Sequence, residues 1–110
     1  MISYEDFLKV DIRVGKIINV EELPHARKPA LKLFIDFGPE IGTKKTSAQI
    51  MHLYAKENLI GKQVLAVVNF PPKQVGTFMS EVLVLGFSNE SNAIVLARPD
   101  QEVPNGQKLH

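Results

Sequence analysis

The residues able to do covalent or metal chemistry are few and badly placed for it. His25, His52 and His110 are scattered along the chain, with no H-x-x-x-H or H-E-x-x-H spacing that would bring two imidazoles to one metal ion. The chain has no cysteine, which removes thiolate metal sites, cysteine nucleophiles and disulfides together. Ser47 and Ser80 lack a nucleophile-elbow context, and Gly38 to Lys45 does not spell the G-x-x-x-x-G-K-[ST] phosphate loop. The expectation is a protein that is not an enzyme and holds no metal or cofactor.

What remains is the chemistry of binding. Arg13, Arg27, Lys28, Lys32, Lys45 and Lys73 are cations able to meet phosphate, and Ser47, Gln49, Asn69 and Ser80 add hydrogen-bonding groups near them. Arg13 could equally pair with Asp11 or Glu21. Phe34 is a large aromatic at a polar-parity position, where it can stack on a base, meet an apolar peptide side chain, or pack beneath a loop or a partner subunit. Asp36 lies beside it, and Glu81 is a second acid for a basic peptide. Phe70-Pro71-Pro72 is a stiff, apolar run that cannot continue a sheet. It suits the wall of a peptide groove or, more simply, a turn that caps a barrel.

The elements that would carry these groups are mostly strands. Ser3-x-x-Asp6 is a loose capping box opening a short helix with Phe7 and Leu8. Asp11 to Leu23 reads as a long strand, with Ile12, Val14, Ile18 and Val20 on one parity and a bulge or bend at Gly15. Pro24 to Pro29 is a loop. Leu31 to Phe37 alternates cleanly, and Lys44 to Ile50 forms a third strand. If the alternation holds, Lys32, Phe34, Asp36, Lys45, Ser47 and Gln49 share one outward face. Met51 to Leu59 predicts a helix ended by Gly61. Gln63–Phe70, Ser80–Phe87 and Ala93–Ala97 are strands apolar on both parities, without the long crossover helices a buried parallel sheet needs. Cover by a partner subunit would account for the second apolar face.

Three strands, a short helix, two strands and a further C-terminal strand region match the five-stranded oligonucleotide/oligosaccharide-binding (OB) barrel, an all-β fold with short helices. Strand counts alone also fit another small barrel or sandwich. With 110 residues, residues 1–110 form one domain. The composition, 45% apolar and 23% charged, is that of a globular protein. A net charge of +1 is low for a dedicated nucleic-acid binder, so any RNA contact must come from a local patch. The first residues show neither the basic nor the apolar region of a signal peptide, and no apolar run reaches the roughly 20 residues of a membrane span. A cytoplasmic protein without membrane insertion is expected.

Asp11-Ile12-Arg13-Val14-Gly15-Lys16-Ile17 resembles the opening strand of the tRNA-binding-domain family, and Asn69-Phe70-Pro71-Pro72-Lys73 with Gly76 and Ser80-Glu81-Val82-Leu83 resembles its second hallmark. Within that family the chain is most similar to the CsaA-type secretion chaperones. Lys32 to Gly38, Ser47 to Ile50, Val67 to Lys73, Ser80 to Gly86, Pro99-Asp100 and Val103-Pro104-Asn105-Gly106 carry that likeness. The resemblance implies an OB barrel, a homodimer, and two ligands: unfolded export-bound preproteins and tRNA. It places Arg27 and Lys73 on loops that converge on one side. Ser47-Ala48-Gln49-Ile50 departs from the Val-Ser-Gly-like segment more frequent in tRNA-binding members, which weakens the carry-over of tRNA affinity and leaves the fold unaffected.

Overall fold

The computed structural model describes residues 1–23 and 29–110. Ser3 caps a one-turn helix, α1 (Tyr4–Leu8), through a reciprocal pair. The Asp6 backbone N–H donates to Ser3 Oγ at 3.2 Å, and the Ser3 N–H donates to Asp6 Oδ2 at 3.0 Å. The side chain thereby satisfies a helix-start donor that has no partner within the helix.

The barrel is built from β1 (Ile12–Glu22), β2 (Leu31–Asp36), β3 (Thr43–Ala48), β4 (Gln63–Val67), the hairpin β5 (Lys73–Val75) and β6 (Phe78–Ser80), and β7 (Leu83–Val84). Their main sheet runs β3-β2-β1-β4-β7, with every neighbour antiparallel. The sheet curls until β3 reaches the β6–β7 segment, nearly closing a five-stranded barrel. The seam is polar and specific. The Glu81 N–H donates to the Lys45 carbonyl at 2.8 Å, the Lys45 N–H to Glu81 Oε1 at 3.0 Å, and the Thr46 hydroxyl to the Val82 carbonyl at 2.6 Å.

β1 bends to serve both halves of the sheet. Residues 12–16 pair with β4, and residues 16–22 with β2. The bulge falls between Ile17 and Asn19 rather than at Gly15. The extra residue, Ile18, is 48% exposed, and the parity flips there. Gly15 and Ile17 face inward before the bulge and Val20 after it, which corrects the single parity expected for Ile12 to Val20. Gly15 is instead a close-approach glycine: a Cβ there would lie 2.5 Å from Ile35 Cγ2 and 2.7 Å from Phe37. The core around it holds Ile17, Leu33, Ile35, Phe37, Leu59 and Val64, all fully buried.

The helix expected over Met51 to Leu59 is confined to α3 (Lys56–Leu59). Tyr54 packs instead on the core, where its hydroxyl accepts the Leu96 N–H at 3.1 Å. Gly61 ends the helix at φ +93°, as expected. A further helical turn, α2 (Gly38–Ile41), begins at Gly38-Pro39, where a loop was expected; proline suits a first helical turn.

The second apolar face of the late strands is covered only in part. Ser80–Phe87 is not one strand but β6, β7 and the start of β8 (Gly86–Ser88), which pairs with β9 (Ile94–Leu96). On the outer wall of β1 and β4, Val14 and Val67 are buried by the chain itself. The C-terminal segment runs along β1: the Gly106 N–H donates to the Val14 carbonyl at 2.8 Å and the Leu109 N–H to the Ile12 carbonyl at 2.8 Å. Leu83, Phe87 and Val95 remain 49%, 68% and 38% exposed.

Candidate ligand-binding surfaces

The β2–β3 register puts Lys32 opposite Ser47, Phe34 opposite Lys45, and Asp36 opposite Thr43. Lys32, Phe34, Asp36, Lys45 and Ser47 therefore share the outer face, each partly exposed, because Leu31, Leu33 and Ile35 take the inner one. Gln49 does not join them. It lies beyond the end of β3, in a separate cleft with Met51, His52 and Ile94.

This face carries a group that sequence reasoning missed. Phe78, on β6, is buried against Leu23, Ala30 and Val75, outside the barrel core. Lys32 Nζ lies 5.2 Å from the centre of its ring and Lys45 Nζ 5.3 Å. The sequence places Lys73 on a loop and no strand between Phe70 and Ser80, because the prolines there cannot continue a sheet. A signal was present in Val75-Gly76-Thr77-Phe78, where glycine opens a two-residue turn between strand-forming residues. The structure has that hairpin, with Gly76 at φ +63° and Val75 opposite Phe78.

A second surface lies at the far end of β4. Phe70, Pro71, Lys73, Ser80, Glu81, Val82 and Leu83 line a mainly apolar cleft of about 370 Å³. Phe70 is 52% exposed there. Pro72 is exposed between Pro71 and Lys73. Neither Phe34 nor Asp36 lines this cleft, so the five residues expected to form one peptide groove divide between two surfaces.

Several candidate residues are engaged within the fold. Arg13 pairs with Asp11, its Nε donating to Oδ1 at 2.6 Å, and its NH1 donates to the Gly106 carbonyl at 3.0 Å. The hydrogen bond to Asp11 raises the guanidinium pKa still further. Asn69 accepts the Asp11 N–H and donates to the Lys9 carbonyl, fastening the end of α1 to the end of β4. Ser80 Oγ lies 2.7 Å from Thr46 Oγ1 and accepts the Ser47 N–H at 3.1 Å. Asp36 Oδ1 accepts the Gly38 N–H. By contrast, the ion pairs among the described residues use Lys9, Arg13 and Lys16, and none uses Lys32, Lys45 or Lys73. Arg27 and Lys28 lie outside the described residues. Among the described residues there is no cluster of metal-ligating side chains and no helix long and apolar enough to cross a membrane.

A nearly closed OB-like barrel with a basic and aromatic outer face is the kind of scaffold that OB folds use to bind ligands. The chain belongs to the family described as "Putative tRNA binding domain", whose model matches residues 12–108. It is similar over its whole length to the chaperone CsaA of Bacillus anthracis str. Ames, at 53% identity and a TM-score of 0.93, covering 99% of that chain. The CsaA chaperone protein of Picrophilus torridus gives 52% identity and a TM-score of 0.93, with both chains covered completely. A MetRS related protein from Pyrococcus horikoshii shares 25% identity at a TM-score of 0.87, covering 98% of that chain. Methionine--tRNA ligase of Porphyromonas gingivalis is 36% identical over 108 residues. The chain spans only 15% of that ligase's length.

Proposed function

We propose that this chain is a cytoplasmic, homodimeric, CsaA-like chaperone that holds unfolded preproteins. The observation that carries this reading is the open apolar cleft at Phe70, Pro71, Val82 and Leu83, on a chain more than half identical to a CsaA chaperone from end to end. The prolines leave few backbone donors, so an extended client is gripped through side-chain contact rather than by sheet extension. Lys73 and Glu81 at the rim admit clients of either charge. Phe70 is only half-exposed, so covering it contributes about 1 kcal/mol. A weak grip of this kind suits a protein that must release its client. Phe70→Ser should therefore lower client affinity roughly five-fold and reduce suppression of client aggregation, with the fold unchanged. Full protection by a folded Phe70→Ser variant would move the client site elsewhere.

A second reading is favoured by a separate observation. The outer β2–β3 face sets Lys32 and Lys45 beside the half-buried Phe34, with no carboxylate paired to either ammonium among the described residues. Cations next to an aromatic surface suit single-stranded or looped RNA, and the family match points to tRNA. The two readings use different surfaces of one domain and do not compete for the same residues.

A further inference from the structure

We propose that Phe78 is a positioning residue that gathers Lys32 and Lys45 into a paired clamp for the phosphodiester backbone of RNA. The proposal rests on the RNA reading above and assigns it a specific site. A lysine ammonium on a four-carbon stem is normally a mobile, strongly hydrated charge. Here two of them, from different strands, converge on one ring, at 5.2 and 5.3 Å from its centre. The electron-rich face of the ring attracts both and offsets part of their mutual repulsion.

The ring is itself fixed. Phe78 is 7% exposed and packs with Leu23, Ala30 and Val75 into a small apolar cluster on the outer side of the barrel. Leu23 and Ala30 close the β1 and β2 ends, and Val75 faces Phe78 across the hairpin. The β5–β6 hairpin is thus pinned to the same face that carries Lys32 and Lys45.

The acids that register and hydrogen bonding place beside this pair do not quench it. Glu21 stands opposite Lys32 across β1 and β2 but makes no ion pair with it, and Glu81 accepts the Lys45 backbone N–H rather than its ammonium. Phe34 sits directly across from Lys45, which places an aromatic surface next to the two cations. Alternating phosphate and base is the ligand chemistry that uses both. A polyacidic peptide would use only the cations.

The test is a titration of the full chain with total tRNA across salt, set beside polyglutamate of matched charge. Three proteins are compared: wild type, Phe78→Leu, and a protein carrying trifluorophenylalanine at position 78. Leucine keeps the apolar contact and removes the ring; the fluorinated ring keeps the shape and loses its negative face. Ring-current shifts of the Lys32 and Lys45 ε-methylene protons, compared between wild type and the fluorinated protein, report whether the lysines remain gathered. Both altered proteins should bind tRNA about 3- to 10-fold more weakly, with a shallower salt slope. The lysine ring-current shift should shrink in the fluorinated protein. If Phe78→Leu does not fold, the fluorinated protein decides alone. Wild-type affinity and slope in the altered proteins would overturn the clamp while leaving the RNA reading intact. Polyglutamate binding as tight as tRNA would overturn the assignment to phosphodiesters. Failure of the wild-type chain to bind tRNA at low salt would overturn both.

Discussion

Thr46 is 1% exposed, and its hydroxyl reaches the Val82 carbonyl at 2.6 Å and Ser80 Oγ at 2.7 Å. A buried polar group is tolerated only when it is satisfied, and here the satisfied group is the one that joins the two edges of the barrel. The same logic explains Ser80 and Asn69. Their polar atoms are hydrogen-bonded within the fold, whereas Lys32, Lys45 and Lys73 have no carboxylate partner among the described residues. At the N-terminus, the Ser3 backbone N–H, followed by the Ser3 side chain, holds the Asp6 carboxyl below its ordinary value of 3.8. The sign follows from that depression. The capping contact stabilises α1 above the ordinary carboxylate pKa and is lost as pH falls through the lower folded value. Carbon-detected NMR titration should show Asp6 ionising below 3.8, and Ser3→Ala should move it upward and fray α1. An unmoved titration in the variant would show that the Ser3 side chain does not cap α1 in solution.

At the scale of elements, Gly15 is tightly constrained by its surroundings. A methyl group there would press on Ile35 and Phe37, both fully buried, with no flexible side-chain end to give way. Gly15→Ala should destabilise the domain by about 1–3 kcal/mol through overpacking. Urea unfolding should show a lower midpoint with an unchanged slope; a wild-type midpoint would mean that β1 and β2 sit farther apart than described. How much of this was legible depends on what each element answers to. The capping box, the β2 alternation and the outward set Lys32, Phe34, Asp36, Lys45 and Ser47 follow from local pattern, and the structure has them. The bulge at Ile18 was not legible, because Gly15 offered a stronger local reason for a break than an isoleucine does. The Met51–Leu59 helix shrank because Tyr54 finds a core contact and a hydrogen-bond partner 42 residues away. Phe78 was missed as a site residue because its role depends on three elements meeting outside the barrel.

For the molecule as a whole, the exposed apolar wall is the main remaining feature. Phe87 stands directly across from Val95 on the β8–β9 hairpin, and both side chains are exposed. The chain's own C-terminal segment covers part of the neighbouring wall, so the partner subunit expected from sequence has less to bury than the apolar strands implied. Light scattering should nonetheless report two copies of the 12.3 kDa chain at micromolar concentration. Phe87→Asp should shift that towards one, since a stable interface cannot accept an unpaired buried charge. A wild-type monomer would contradict this.

Polypeptide and RNA are proposed to occupy different surfaces of one domain. Fluorescence-anisotropy titration of the wild-type chain with an unfolded secretory protein tests this directly, run with and without saturating total tRNA and repeated across salt. Polypeptide should bind with the same affinity in both conditions and depend little on salt, while tRNA binding should fall steeply as salt rises. Displacement of the polypeptide by tRNA, or no polypeptide binding at any salt, would contradict it.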